Sequence, residues 1–68
     1  MIVYLDPIGK LQQAGYSTYR LRKEKLISNG TIVRIRAGLS ISTDTIDTIC
    51  RLCDCQPGDI IRYEKERL

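Results

Sequence analysis

Ser17-Thr18-Tyr19-Arg20-Leu21-Arg22-Lys23-Glu24-Lys25-Leu26-Ile27-Ser28-Asn29-Gly30-Thr31-Ile32-Val33-Arg34-Ile35-Arg36-Ala37-Gly38 reads as two short helices joined by a tight turn. Each is opened by a serine, whose hydroxyl accepts one of the backbone N–H groups left free at a helix start. Gly38 closes the second helix, since glycine takes the left-handed conformation that ends many helices. The same stretch carries six of the eleven basic residues against one acid, Glu24.

Charge is unevenly spread around that stretch. Residues 1–17 are neutral, residues 18–38 carry +5, and residues 39–68 carry −2. One basic block on an otherwise neutral or acidic chain is the footprint of a face that meets a polyanion. An α-helix about 10–12 Å across fits a DNA major groove about 12 Å wide. The helix pair and its charge together therefore point to double-stranded DNA, where charge alone would be read as a solvated face.

Sixty-eight residues form one domain, 1–68, with its helix–turn–helix core at about 17–38. That length is near the lower limit for a self-sufficient core. No apolar run approaches the ~20 residues of a membrane span. No charged-then-apolar leader precedes Leu5, so a cytoplasmic protein is expected. Histidine is missing, which removes the commonest acid–base residue and a frequent metal ligand. No nucleophile–base pair can be assembled, so neither enzyme activity nor a small-molecule substrate is expected, and no cofactor.

Outside the central stretch, Met1-Ile2-Val3-Tyr4-Leu5 suits a short strand or an arm packed on the core. Asp6-Pro7 opens a first helix running to about Ala14, with Ile8 and Leu11 inward and Gly15 closing it. The helix after Ser17 has Tyr19 and Leu21 as its main apolar residues and is expected to end near Lys25–Leu26. Ile27 follows as a buried turn residue, and Ile32 and Ile35 share the inward face of the next helix. Ser42 or Thr43 caps a fourth helix whose apolar residues are Ile46, Ile49, Cys50, Leu52 and Cys53. Pro57 opens a fifth, single-turn helix with Asp59 near its positive end. The expected fold is all-α, a compact five-helix domain with short terminal β-strands allowed.

Three stretches give the chain a likeness to a known family: Gly15-Tyr16-Ser17, the run from Ile27 to Gly38, and the run from Ile46 to Ile61 that contains Cys53-Asp54-Cys55-Gln56-Pro57-Gly58-Asp59. In order and spacing they resemble the Cro/phage-repressor class of helix–turn–helix regulators, the Xre family, and the last resembles the end of its small stand-alone members. The likeness runs from Leu11 to Tyr63. It implies a lambda-repressor-like fold and a transcriptional regulator, more often a repressor. The chain departs from the family's pattern at Arg22, where a small residue is usual, at Lys25, where an apolar one is, and at Leu26, where glycine stands in the turn. Either Leu26 takes a strained backbone conformation, or the turn shifts by one residue and Leu26 supplies the core contact that Lys25 cannot.

Ser28, Asn29, Gly30, Thr31, Val33 and Arg34 are the candidates to read bases. Asn29 matches the paired donor and acceptor of adenine, and Arg34 matches guanine O6 and N7 or a phosphate. Thr31 and Val33 suit a thymine methyl, and Gly30 lets backbone approach the duplex. Asn29-Gly30 also reads as a plain turn dipeptide. Thr18, Tyr19, Arg20, Lys23, Arg36 and Ser40 are the candidates to hold phosphates. Cys50, Cys53 and Cys55 form C-x2-C-x-C, but a structural zinc needs four ligands. Core packing of these cysteines is expected, and no metal. One such domain makes few base contacts, so a homodimer is expected. A protein–protein adaptor or antitoxin-like module is the alternative that the same fold admits.

Overall fold

The computed structural model describes residues 1–66, in the order β1 (Ile2–Tyr4), α1 (Pro7–Gln13), α2 (Thr18–Lys23), α3 (Asn29–Arg36), α4 (Thr43–Cys53), a 3-10 turn (Pro57–Asp59) and β2 (Ile61–Tyr63). The sequence holds an apolar surplus at the chain ends, Ile2 and Tyr4 with Ile60, Ile61, Tyr63 and Leu68, of which Leu68 lies outside the described residues.

Each helix starts on a side-chain cap. The Asp6 carboxylate accepts from the Gly9 amide at 3.1 Å. A Cβ on Gly9 would lie 2.1 Å from that carboxylate, so the cap requires glycine there. Ser17, Ser28 and Ser42 each accept from the amide three residues on, those of Arg20, Thr31 and Thr45. A cap of this kind is worth about 1 kcal/mol, so four of them matter in so short a chain.

The helix ends repeat one device as well. After α1, the Tyr16 amide donates to the Leu11 carbonyl at 2.8 Å, with Gly15 at φ 95°. After α3, the Leu39 amide donates to the Arg34 carbonyl at 2.9 Å, with Gly38 at φ 73°. After α2, the Leu26 amide donates to the Leu21 carbonyl at 2.9 Å, and the left-handed residue is Lys25 at φ 56°. This is the Schellman closure, in which the left-handed residue precedes the donor that reaches back five positions. The turn is thus shifted by one residue from a strained Leu26. Leu26 packs against the core, and exposed Lys25 adopts the strained conformation.

Ile8, Leu11, Leu21, Ile27, Ile32, Ile35, Ile49 and Ile60 form the core. Burying a leucine or isoleucine contributes roughly 1.5–3 kcal/mol. Ile49 alone is fully buried on α4, while Ile46, Cys50, Leu52 and Cys53 are half-buried around it. Helix α1 packs on both α3 and α4.

Two expectations are corrected. Helix α2 stops at Lys23, because the Schellman closure begins at Glu24 and leaves Lys25 and Leu26 in the turn. On the same six-residue helix Leu21 fills the inward position and Tyr19 is 64% exposed. The fifth helix is a single 3-10 turn, leaving four α-helices among the described residues. There the Asp59 carboxylate accepts from the Gln56 amide at 2.9 Å, and Ile60 is drawn into the core before another turn can form.

The termini form strands. β1 and β2 pair antiparallel, with Ile2 opposite Tyr63, Val3 opposite Arg62 and Tyr4 opposite Ile61. The pairing absorbs part of the apolar surplus: Ile60 is buried, and Ile61 and Tyr4 are half-buried. Ile2 and Tyr63 remain 56% and 68% exposed.

Candidate nucleic-acid interface

Helix α3 owes its orientation to Ile32 and Ile35, both buried. At about 100° per residue, the opposite face carries Gly30, Val33 and Arg34, with Asn29 beside them. All four are exposed. Gly30 would meet no atom within 4 Å if it carried a Cβ, so packing within the fold does not demand a glycine there. Asn29-Gly30 is the helix start and not a free turn, because Ser28 accepts from the Thr31 amide at 3.2 Å and donates to the Thr31 hydroxyl at 2.9 Å. Thr31 is half-buried at the flank, with its amide and hydroxyl both engaged by Ser28.

Arg34 reaches past the end of its helix. Its Nε donates to the Ser40 carbonyl at 2.8 Å and its Nη2 to the Ser40 hydroxyl at 3.3 Å. The structure thus joins a base-reading candidate to a phosphate candidate. The loop that holds them is itself tied down, since the Tyr4 hydroxyl donates to the Leu39 carbonyl. Sequence periodicity gives no sign of either contact, because both cross from one element to another.

On α2, half-buried Thr18 occupies the first position and exposed Tyr19 the second. Lys23 lies over the Tyr19 ring, 5.7 Å from its centre. Arg20 is drawn away from that face. It pairs with Glu24, donates to the Gly15 carbonyl at 3.1 Å and stacks 4.5 Å from the centre of the Tyr16 ring. The hydrogen bond and charge of Glu24 raise the Arg20 pKa above its ordinary value. Arg36 is exposed on the side of α3 that faces α1, beside a shallow hollow lined by Tyr4, Asp6 and Gln12. Among the described residues, the ion pairs are Arg20–Glu24 and Arg62–Glu64. Arg22, Lys23, Lys25, Arg34 and Arg36 thus keep the block positive.

Cys50, Cys53 and Cys55 are free thiols, half-buried against the core. Burial raises the pKa of Cys50 and of Cys53, and Cys55 adds to both. Among the described residues, no three His, Cys, Asp or Glu side chains are grouped to hold a metal ion. Nor is any described helix long and apolar enough to cross a membrane.

The sequence model of the Cro/C1-type HTH DNA-binding domain matches residues 10–66. No curated protein and no solved structure matches the chain. The matched span runs from within α1 through β2, and so takes in the capped helix pair, its shifted turn and the outward face of α3. With most of its length inside that match, the chain belongs to the Cro/C1-type helix–turn–helix DNA-binding family.

Proposed function

We infer that this chain is a sequence-specific transcriptional repressor that reads the major groove with the helix at about 28–37 and acts as a homodimer on a palindromic site. The observation that carries the reading is the outward face of α3. Asn29, Gly30, Val33 and Arg34 stand exposed together, and Gly30 keeps the helix start flat for close approach. Thr18, Tyr19 and Lys23 on α2, with Arg36 beyond, supply the phosphate grip that sets register without reading sequence.

A face of four residues discriminates few base pairs. Two copies on half-sites about 34 Å apart double it. The apolar residues left over at the joined termini favour a second copy as the neighbour. Ile2 and Leu39, each about half exposed, line a groove with Tyr4, Ile41, Ile46 and Ile61, and Met1 and Tyr63 are exposed as well. Contiguous apolar surface of this kind commonly marks an interface.

Selection of bound duplexes from a random pool tests the reading, followed by salt titration and sedimentation on the selected site. The expected result is a twofold-symmetric sequence, two chains per duplex, and a log–log salt slope of ~0.9 per phosphate neutralised. An affinity that stays flat with salt, with no sequence enriched, sinks the DNA reading and turns attention to a protein partner. A one-to-one complex at saturating protein removes the dimer alone.

A further inference from the structure

The contact between Arg34 and Ser40 leaves the guanidinium in a particular state. Of its five N–H donors, the Nε–H and one Nη2–H are taken by the Ser40 carbonyl and hydroxyl. Those two bonds occupy one edge of the planar group. The other edge, formed by Nη1–H and the second Nη2–H, has no partner among the described residues. It presents two parallel donors, the arrangement that matches two acceptors side by side.

Two bonds to one residue also fix the plane in which that edge lies. Ser40 is a firm anchor because its loop is pinned on both sides. The Leu39 carbonyl accepts from Tyr4 and the Leu39 amide donates to the Arg34 carbonyl, while Ser42 caps α4 just beyond. An exposed arginine ordinarily loses much rotamer freedom on binding. This one is ordered beforehand.

We propose that Ser40 is a positioning residue that aims the outer edge of Arg34 at the O6 and N7 of a guanine, and does not itself hold a phosphate. A phosphate contact needs only a point charge, which a lysine would supply. What the contact with Ser40 preserves is orientation, which matters for reading a base edge. The inference rests on α3 lying in the major groove.

The test measures affinity across a panel in which each base pair of the selected duplex is changed in turn. Wild type, Ser40→Ala, Ser40→Thr, Arg34→Lys and the Ser40→Ala/Arg34→Lys double variant are compared. Arg34→Lys should lose about tenfold or more of the discrimination at one G·C pair. Ser40→Ala leaves the carbonyl contact in place and should lose about two- to tenfold at the same pair. Ser40→Thr should restore it, and the salt slope of Ser40→Ala should equal that of wild type. In the Arg34→Lys background, Ser40→Ala should have no further effect, because a residue acting through another is silent once that other is gone.

A Ser40→Ala loss that persists in the Arg34→Lys background, or spreads evenly over the panel, overturns the aiming role. So does a Ser40→Ala protein that discriminates as wild type does. Wild type that binds no duplex overturns the DNA reading itself, and this inference with it, a result distinct from the others.

Discussion

Tyr4 and Leu39 are joined across the molecule: the hydroxyl of a strand residue donates to a carbonyl in the loop that follows α3. The N-terminal strand thereby steadies the loop from which Ser40 grips Arg34. Tyr4→Phe keeps the ring and removes the bond. The Leu39 carbonyl lies on an exposed residue, so water replaces the lost donor and the cost should stay near the low end, about 0.5–1 kcal/mol. Urea unfolding of the two proteins measures it. A loss above about 2 kcal/mol would show that the hydroxyl does more than hold this loop.

Four helices end in this closure, and in two of them the left-handed residue is not glycine: Lys25 after α2 and Asp54, at φ 51°, after α4, where the Cys55 amide donates to the Cys50 carbonyl. Lys25→Gly should therefore stabilise the fold, by about 0.5–1 kcal/mol once the extra freedom of glycine in the unfolded chain is set against the relief. The same change removes one cation from the basic block. Greater resistance to urea with weaker binding to random duplex DNA is the expected pair of results. A destabilised variant would mean that the lysine stem is held by contacts that outweigh its backbone strain.

Gly30 should separate stability from binding. In a helix, glycine is about 0.8–1.0 kcal/mol worse than alanine. Nothing in the fold obstructs a Cβ at this position. Gly30→Ala should raise the thermal midpoint and lower affinity for the selected duplex. If affinity is unchanged, backbone at the head of α3 does not approach the DNA closely.

The cysteines give a pH dependence of defined sign. Burial raises the pKa of Cys50 and Cys53 above the ordinary thiol value of 9.0, so the folded state holds these protons more tightly than the unfolded one. Their contribution is complete below pH 9 and is lost as pH rises through the folded-state values. A Cys50→Ala/Cys53→Ala variant, compared with wild type by urea unfolding from pH 7 to 11, should show a stability gap that narrows only at the alkaline end. A gap that narrows between pH 7 and 8 instead would contradict buried, protonated thiols.

Much of this fold was legible from local chemistry. Asp6, Ser17 and Ser28 announce helix starts, Gly15 and Gly38 announce ends, and the spacing of Ile32 and Ile35 orients α3. A tyrosine in a six-residue helix serves equally as core or surface, and only the position of Leu21 decides which side Tyr19 takes. The fifth helix was misjudged because Pro57 and Asp59 suit a 3-10 turn as well as an α-helix start. The turn after α2 left two geometries open, since the strain falls on Lys25 or Leu26 according to which side chain the core accepts. Within the candidate site, the α3 residues could be named from the sequence. The use Arg34 makes of Ser40 could not, because a contact spanning a helix end has no period.

The strand pair brings the two ends of the described chain together, the Met1 amino group donating to the Glu64 carbonyl 63 positions away. Contacts among helices α1 to α4 close shorter loops than this pairing, which spans nearly the whole chain. The sheet is therefore expected to assemble last and to open first. Changes in β1 or β2 should speed unfolding and leave the folding rate nearly untouched. With them open, Tyr4 no longer reaches Leu39, and the loop that orders Arg34 is released while the helices still stand.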